Sequence, residues 1–85
     1  MALSKKIHDG LNEQVAREFQ AHFIYRAIAM DLYDKGYEGF AGWMEQHATE
    51  EYGHAERIIS FLKENDARVL LPAVPKPQDS WSTVQ

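Results

Sequence analysis

Asp34-Lys35-Gly36-Tyr37-Glu38-Gly39 separates two long stretches that each carry apolar residues at helical spacing, and this short break decides the fold. Glycine can take the positive φ that ends a helix, and so short a connection makes the flanking helices antiparallel neighbours. Upstream, Ile7, Leu11, Val15, Phe19, Tyr25, Leu32 and Tyr33 share one face when each residue is advanced by about 100°. That pattern predicts a helix over about residues 4–34, with Ser4 as its N-cap. Downstream, Phe40, Met44, Ala48, Ala55, Ile58, Phe61 and Leu62 mark the face of a second helix over about 38–65. All three prolines fall in Val69-Leu70-Leu71-Pro72-Ala73-Val74-Pro75-Lys76-Pro77, which cannot continue a helix. The expected organisation is an all-α helical hairpin over residues 1–66 and an extended, proline-rich strap over 67–85. One hairpin cannot cover both of its apolar faces, so two hairpins closing into a four-helix bundle is the simplest complete architecture.

Eighty-five residues without cysteine make at most one small domain with no disulfide to staple it, and such chains commonly gain core by oligomerising. The formal charge of −4 and the pI near 5.4 disfavour nucleic acid as a partner, whose phosphates attract basic surfaces. His8, Asp9 and Asn12 follow the first residues where a secretory signal would be apolar. No apolar run approaches the roughly 20 residues of a membrane span. A cytoplasmic protein without membrane partners is the expectation.

Within the second apolar stripe stand Glu51 and His54, a Glu-x-x-His pair one helical turn apart, and within the first stands Glu18. Carboxylates and imidazoles placed where leucine belongs are costly to bury unless a partner compensates, and a bound cation does so. Glu18 is 17 residues and Glu51 16 residues from Lys35. In an antiparallel hairpin both therefore lie in one layer, roughly 25 Å from the turn at 1.5 Å per residue. No lysine or arginine enters that layer as an alternative partner. A lone Glu-x-x-His is common by chance; the coincidence with Glu18 is what makes a metal site the better reading. Glu50 projects to the edge of the face, as a solvated residue or an outer acceptor. His22 and His47 are also level with each other, one turn nearer the hairpin end, as an added metal site, a second shell or a hydrogen-bonded core pair. One hairpin offers Glu18, Glu51 and His54, too few ligands for two metals. Two hairpins about a two-fold axis give two Glu and two Glu-x-x-His pairs, the ligand set of ferritin-like di-iron bundles. In that set Glu18 is a terminal ligand, Glu51 the bridge and His54 the nitrogen ligand. Mixed oxygen and nitrogen donors suit iron or manganese and accept zinc.

Leu11-Asn12-Glu13-Gln14-Val15-Ala16-Arg17-Glu18-Phe19 followed by Tyr25 is similar to the first helix of non-haem bacterial ferritins. Gly39-Phe40-Ala41-Gly42-Trp43 and Gln46-His47-Ala48-Thr49-Glu50-Glu51-Tyr52-Gly53-His54-Ala55-Glu56-Arg57 resemble the second, and Val69 to Val74 with Trp81 the start of the crossover to a third. The resemblance implies a ferroxidase centre that oxidises Fe(II) with oxygen or peroxide, for iron storage or detoxification. It implies catalytic positions at Glu18, Glu51, His54 and Tyr25, the last as the aromatic residue beside the centre. Tyr52 stands where haem-binding relatives carry methionine, so no haem is expected. A ferritin continues into two further helices. The missing half would come from a second copy, as a homodimer or higher homo-oligomer, or from a second-half ferritin chain. Short two-helix ferritins inside encapsulating shells are similar in outline. The alternative to an oxidoreductase is a half-subunit of a split ferritin, or a metal-binding structural hairpin without redox turnover.

Overall fold

A computed structural model describes residues 3–82. Two helices, α1 (Lys5–Asp34) and α2 (Glu38–Glu64), pack side by side as an antiparallel hairpin, and no strand occurs among the described residues. Helix α1 starts where the Ser4 hydroxyl accepts the Ile7 N–H at 3.2 Å, satisfying one of the four free donors of the first turn. Its exit is a left-handed cap. Gly36 takes φ +87°, the Tyr37 N–H reaches the Leu32 carbonyl at 2.8 Å and the Gly36 N–H the Tyr33 carbonyl at 3.1 Å. Helix α2 ends by the same device with Asp66 as the left-handed residue at φ 54°, its N–H on Lys63 and that of Ala67 on Leu62. A side chain there strains a conformation that glycine adopts freely. Asp66→Gly is therefore expected to stabilise the protein by about 0.5–1 kcal/mol, seen as a higher urea midpoint by circular dichroism.

The seam between the helices is narrow and built from small residues. Ala41, Ala48, Ala55 and Leu62 recur every seven positions on α2, and all four are fully buried. On α1, Val15 and Ala29 are fully buried, with His22 midway between them at the same seven-residue spacing. A sustained seven-residue repeat keeps one line of each helix facing the other, and alanine lets the backbones approach closely. The apolar faces extend well beyond this line. Phe40 (63% exposed), Trp43 (59%) and Phe61 (45%) lie open to solvent. Phe40 and Phe61 belong to the predicted core face and are not in the hairpin's core, because one neighbouring helix covers only the strip it touches. The surface area is 6094 Å², against about 5,200 Å² for a compact monomer of 9.8 kDa. The hairpin alone is under-packed.

Residues 67–82 form no helix or strand and run back along α1 from its first turns to its last. At one end, the buried Asn12 amide donates to the Arg68 carbonyl at 3.1 Å and its Oδ1 accepts the Leu70 N–H at 2.8 Å. His8 Nε2 donates to the same carbonyl at 2.8 Å. At the other end, the buried Asp31 carboxylate accepts the Trp81 N–H at 3.2 Å and Lys35 Nζ at 2.7 Å, while Lys35 also donates to the Trp81 carbonyl. Nineteen residues of α1 between Asn12 and Asp31 span about 28 Å, whereas a helix over the thirteen from Arg68 to Trp81 would reach only about 20 Å. The strap has to be extended, and its prolines hold it so. Among the described residues, no helix is long and apolar enough to cross a membrane.

Candidate metal centre

Glu18, in the middle of α1, and Glu51 with His54, on α2, meet at one edge of the helix seam. One ligand atom from each lies within 4.8 Å of the others, and this is the one such group of three or more His, Cys, Asp or Glu among the described residues. His54 Nδ1 stands 3.4 Å from Glu18 Oε2 and 3.8 Å from Glu51 Oε2. The carboxylates are largely covered, at 14% and 22% exposure, and the imidazole at 44% faces the open flank of the hairpin. Gln14, one turn before Glu18, donates to Glu18 Oε1 at 2.9 Å and leaves Oε2 free.

Glu18 Oε2 is buried and accepts no hydrogen bond, His54 being close without the alignment one requires. The two carboxyl groups share the deficit. The Glu51 carboxyl beside it holds Glu18 below the usual carboxylate range, against burial and helped by Gln14 and His54. The facing Glu18 carboxyl, burial and the Glu18 charge push Glu51 up. Of the two, Glu51 is the carboxyl that holds a proton more readily, and a cation between them would compete with that proton. Two oxygens and a nitrogen, one oxygen orphaned, form a donor set that fits iron, manganese or zinc.

The other predicted residues are elsewhere. Tyr25 is two turns along α1 from Glu18, about 10.5 Å in rise, and its ring is 6.1 Å from that of His47. His47 lies edge-on to Trp43 at 4.2 Å and has Nδ1 3.7 Å from Glu50, itself about half exposed. His22 donates from Nδ1 to the Ala48 carbonyl at 2.6 Å, with its ring against Tyr52 and Phe23. His22 and His47 thus turn to separate neighbours and form no joint cluster with a carboxylate. Gln14 was not singled out from sequence, although its place four residues before Glu18 is a signal for that bond.

A model of the ferritin-like domain matches residues 8–85 of the chain. The chain belongs to the ferritin-like family. Among its relatives, the bacterial non-heme ferritin of Staphylococcus saprophyticus is 37% identical over 82 residues, covering 96% of this chain and 49% of that protein. The bacterial non-heme ferritin of Campylobacter jejuni is 32% identical over the same proportions. Among solved structures, the open pore ferritin of the archaeon Archaeoglobus fulgidus superposes with a TM-score of 0.90 at 32% identity, over 96% of this chain and 51% of that one. The chain spans about half the length of the ferritins it matches, consistent with an N-terminal half. The two-helix hairpin fits the four-helix bundle of the family.

Proposed function

We propose that this ferritin-like hairpin supplies half of a ferroxidase centre whose substrate is Fe(II), with Glu18, Glu51 and His54 as its ligands. The observation that supports this most is the buried, unpartnered Glu18 Oε2 facing Glu51 and His54. Glu18 contributes an end ligand whose geometry Gln14 fixes, and Glu51 is the carboxylate placed to bridge. His54 contributes Nδ1, the ring nitrogen turned toward both carboxylates. Two bound Fe(II) ions each give up one electron, and dioxygen takes both with two protons to leave as hydrogen peroxide. Covered carboxylates strengthen the attraction for the more highly charged product, and the apolar surround limits side reactions. Tyr25, two turns away, is a hydrogen-bond donor at the margin of the centre.

A second hairpin completes the ligand set. A second copy of this chain does so with two-fold symmetry, and its docking would also cover Phe40, Trp43 and Phe61. The half-length match to known ferritins favours a second reading, in which the other half of a ferritin fills that place. Sedimentation of the purified protein separates the two: self-association supports the first, and a monomer of low helicity the second. For the chemistry, anaerobic Fe(II) titration followed by oxygen is the test. Saturation near two irons per pair of hairpins, about the stoichiometry of a di-iron bundle, with a ferric absorption band is expected. Oxidation no faster than in buffer removes the enzymatic reading, and zinc binding without oxygen uptake leaves a structural metal hairpin.

The opposed shifts of Glu18 and Glu51 make binding pH-dependent. Glu51, with its raised pKa, adds stability below its unfolded value, and this is lost as pH rises through its folded value. Glu18, lowered, adds stability above its unfolded value, and this is lost as pH falls through its folded value. A divalent cation must displace the Glu51 proton. Zn(II) affinity is therefore expected to climb with pH across the Glu51 titration and to level off above it, with proton release. Calorimetry in two buffers of different ionisation enthalpy measures both.

A further inference from the structure

His22 occupies the α1 seam position between Val15 and Ala29, and its Nδ1–H bonds the carbonyl of Ala48, a seam residue of α2. Ala48 lies inside α2, so its carbonyl also serves the helix ladder, and the imidazole takes its second lone pair. The 2.6 Å contact is possible because Ala48 has no side chain beyond Cβ to hold α1 away. Among the described residues, the other side-chain hydrogen bond from α1 to α2 is Tyr33 to Glu45, which is exposed. A seam of alanines offers few knobs to stop one helix sliding along the other. One residue of slip is about 1.5 Å, a large change for a group of ligand atoms that lie within 4.8 Å of one another. His22 lies four residues after Glu18, and Ala48 three before Glu51, so the bond sits one turn from both carboxylates.

We propose that His22 is a positioning residue: its bond to the Ala48 backbone holds, one turn from both carboxylates, the axial register that the turn sets, and so the spacing of Glu18 against Glu51 and His54. This rests on the metal-centre reading above and gives His22 a role other than ligation. Its Nδ1 is engaged by the backbone carbonyl, and the ring stands among Phe23 and Tyr52.

The test uses Co(II) as the probe, since its visible bands report ligand geometry. His22→Leu and His22→Phe remove the N–H and keep an apolar filler; His22→Asn places an amide N–H where Nδ1 was. Both apolar variants are expected to bind Co(II) about tenfold more weakly, the lower end for loss of an orienting partner, with an altered spectrum and an undiminished metal-free Tm. His22→Asn is expected to restore affinity and spectrum despite a lower Tm from the smaller side chain. A purely structural role predicts the reverse order, with affinity following Tm, and that result overturns the proposal. So does an unchanged spectrum in the apolar variants. If the wild-type protein binds no Co(II), the metal-centre reading fails, and the register claim is decided by interhelix NOEs in the metal-free protein. These should shift in the apolar variants and be retained in His22→Asn; identical NOEs in all overturn it. Should one apolar variant not fold, the other carries the comparison.

Discussion

Glu51→Ala is expected to abolish Fe(II) oxidation and to weaken divalent-metal binding by about 100-fold or more, beyond what losing an orienting neighbour alone costs. Its carboxylate lies with Glu18 and His54 in one group of close donor atoms, and in the proposed centre its loss would remove the bridging oxygen. Glu51→Gln keeps the shape and removes the charge, and should lose metal to a similar degree. The metal-free protein should respond in the opposite direction. Ionised Glu51 faces the Glu18 charge, and the raised pKa records that the folded state disfavours it. Above the folded pKa that penalty is fully present, so on the alkaline side of the Glu51 titration Glu51→Gln should be at least as stable as wild type. Anaerobic calorimetry with Fe(II) and urea melts without metal give the two halves. A variant that loses stability and metal together would mean that Glu51 is part of the packing and not of a centre.

Leu62→Ala is expected to cost about 2–5 kcal/mol, most of what so small a core can supply. Leu62 and Val15 are the largest fully buried side chains, and Leu62 also lends its carbonyl to the cap that ends α2. Truncation leaves a void that the alanines at 41, 48 and 55 are too small to fill. Urea unfolding followed by circular dichroism measures it. Phe40→Ala is the instructive contrast. At 63% exposure in the hairpin it should change the stability of a lone hairpin little. A loss comparable to that of Leu62→Ala, dependent on protein concentration, would show that a second hairpin covers this face.

Much of this was legible in the sequence, because helix periodicity and helix ends are local. The apolar stripes and Gly36 suffice to place two antiparallel helices, since glycine alone takes φ +87° without strain. The level positions of Glu18 and Glu51 follow from counting residues to the turn, as axial rise is the same in any helix. The candidate ligands could therefore be named before any contact was seen. Counting fails for His22 and His47. Both are level and inward by projection, yet His22 turns to a backbone carbonyl and His47 to Trp43 and Tyr25. Side-chain torsions and the closeness of the backbones decide between such partners, and neither is encoded in spacing.

The buried polar residues mark the same boundary. Asn12 and Asp31 look like ordinary solvated positions on a helix, and nothing near them in sequence names a partner. Their partners are the strap backbone at Arg68, Leu70 and Trp81, some fifty or more residues away. What the chain alone determined is therefore the hairpin, its turn and the layer in which two carboxylates and an imidazole stand. Only the tertiary structure decided which strip of each apolar face is covered, where the strap docks and to which neighbours His22 and His47 turn. The first set depends on dihedral preference and rise per residue; the second depends on close packing between segments distant in sequence, where an ångström of approach selects one partner over another.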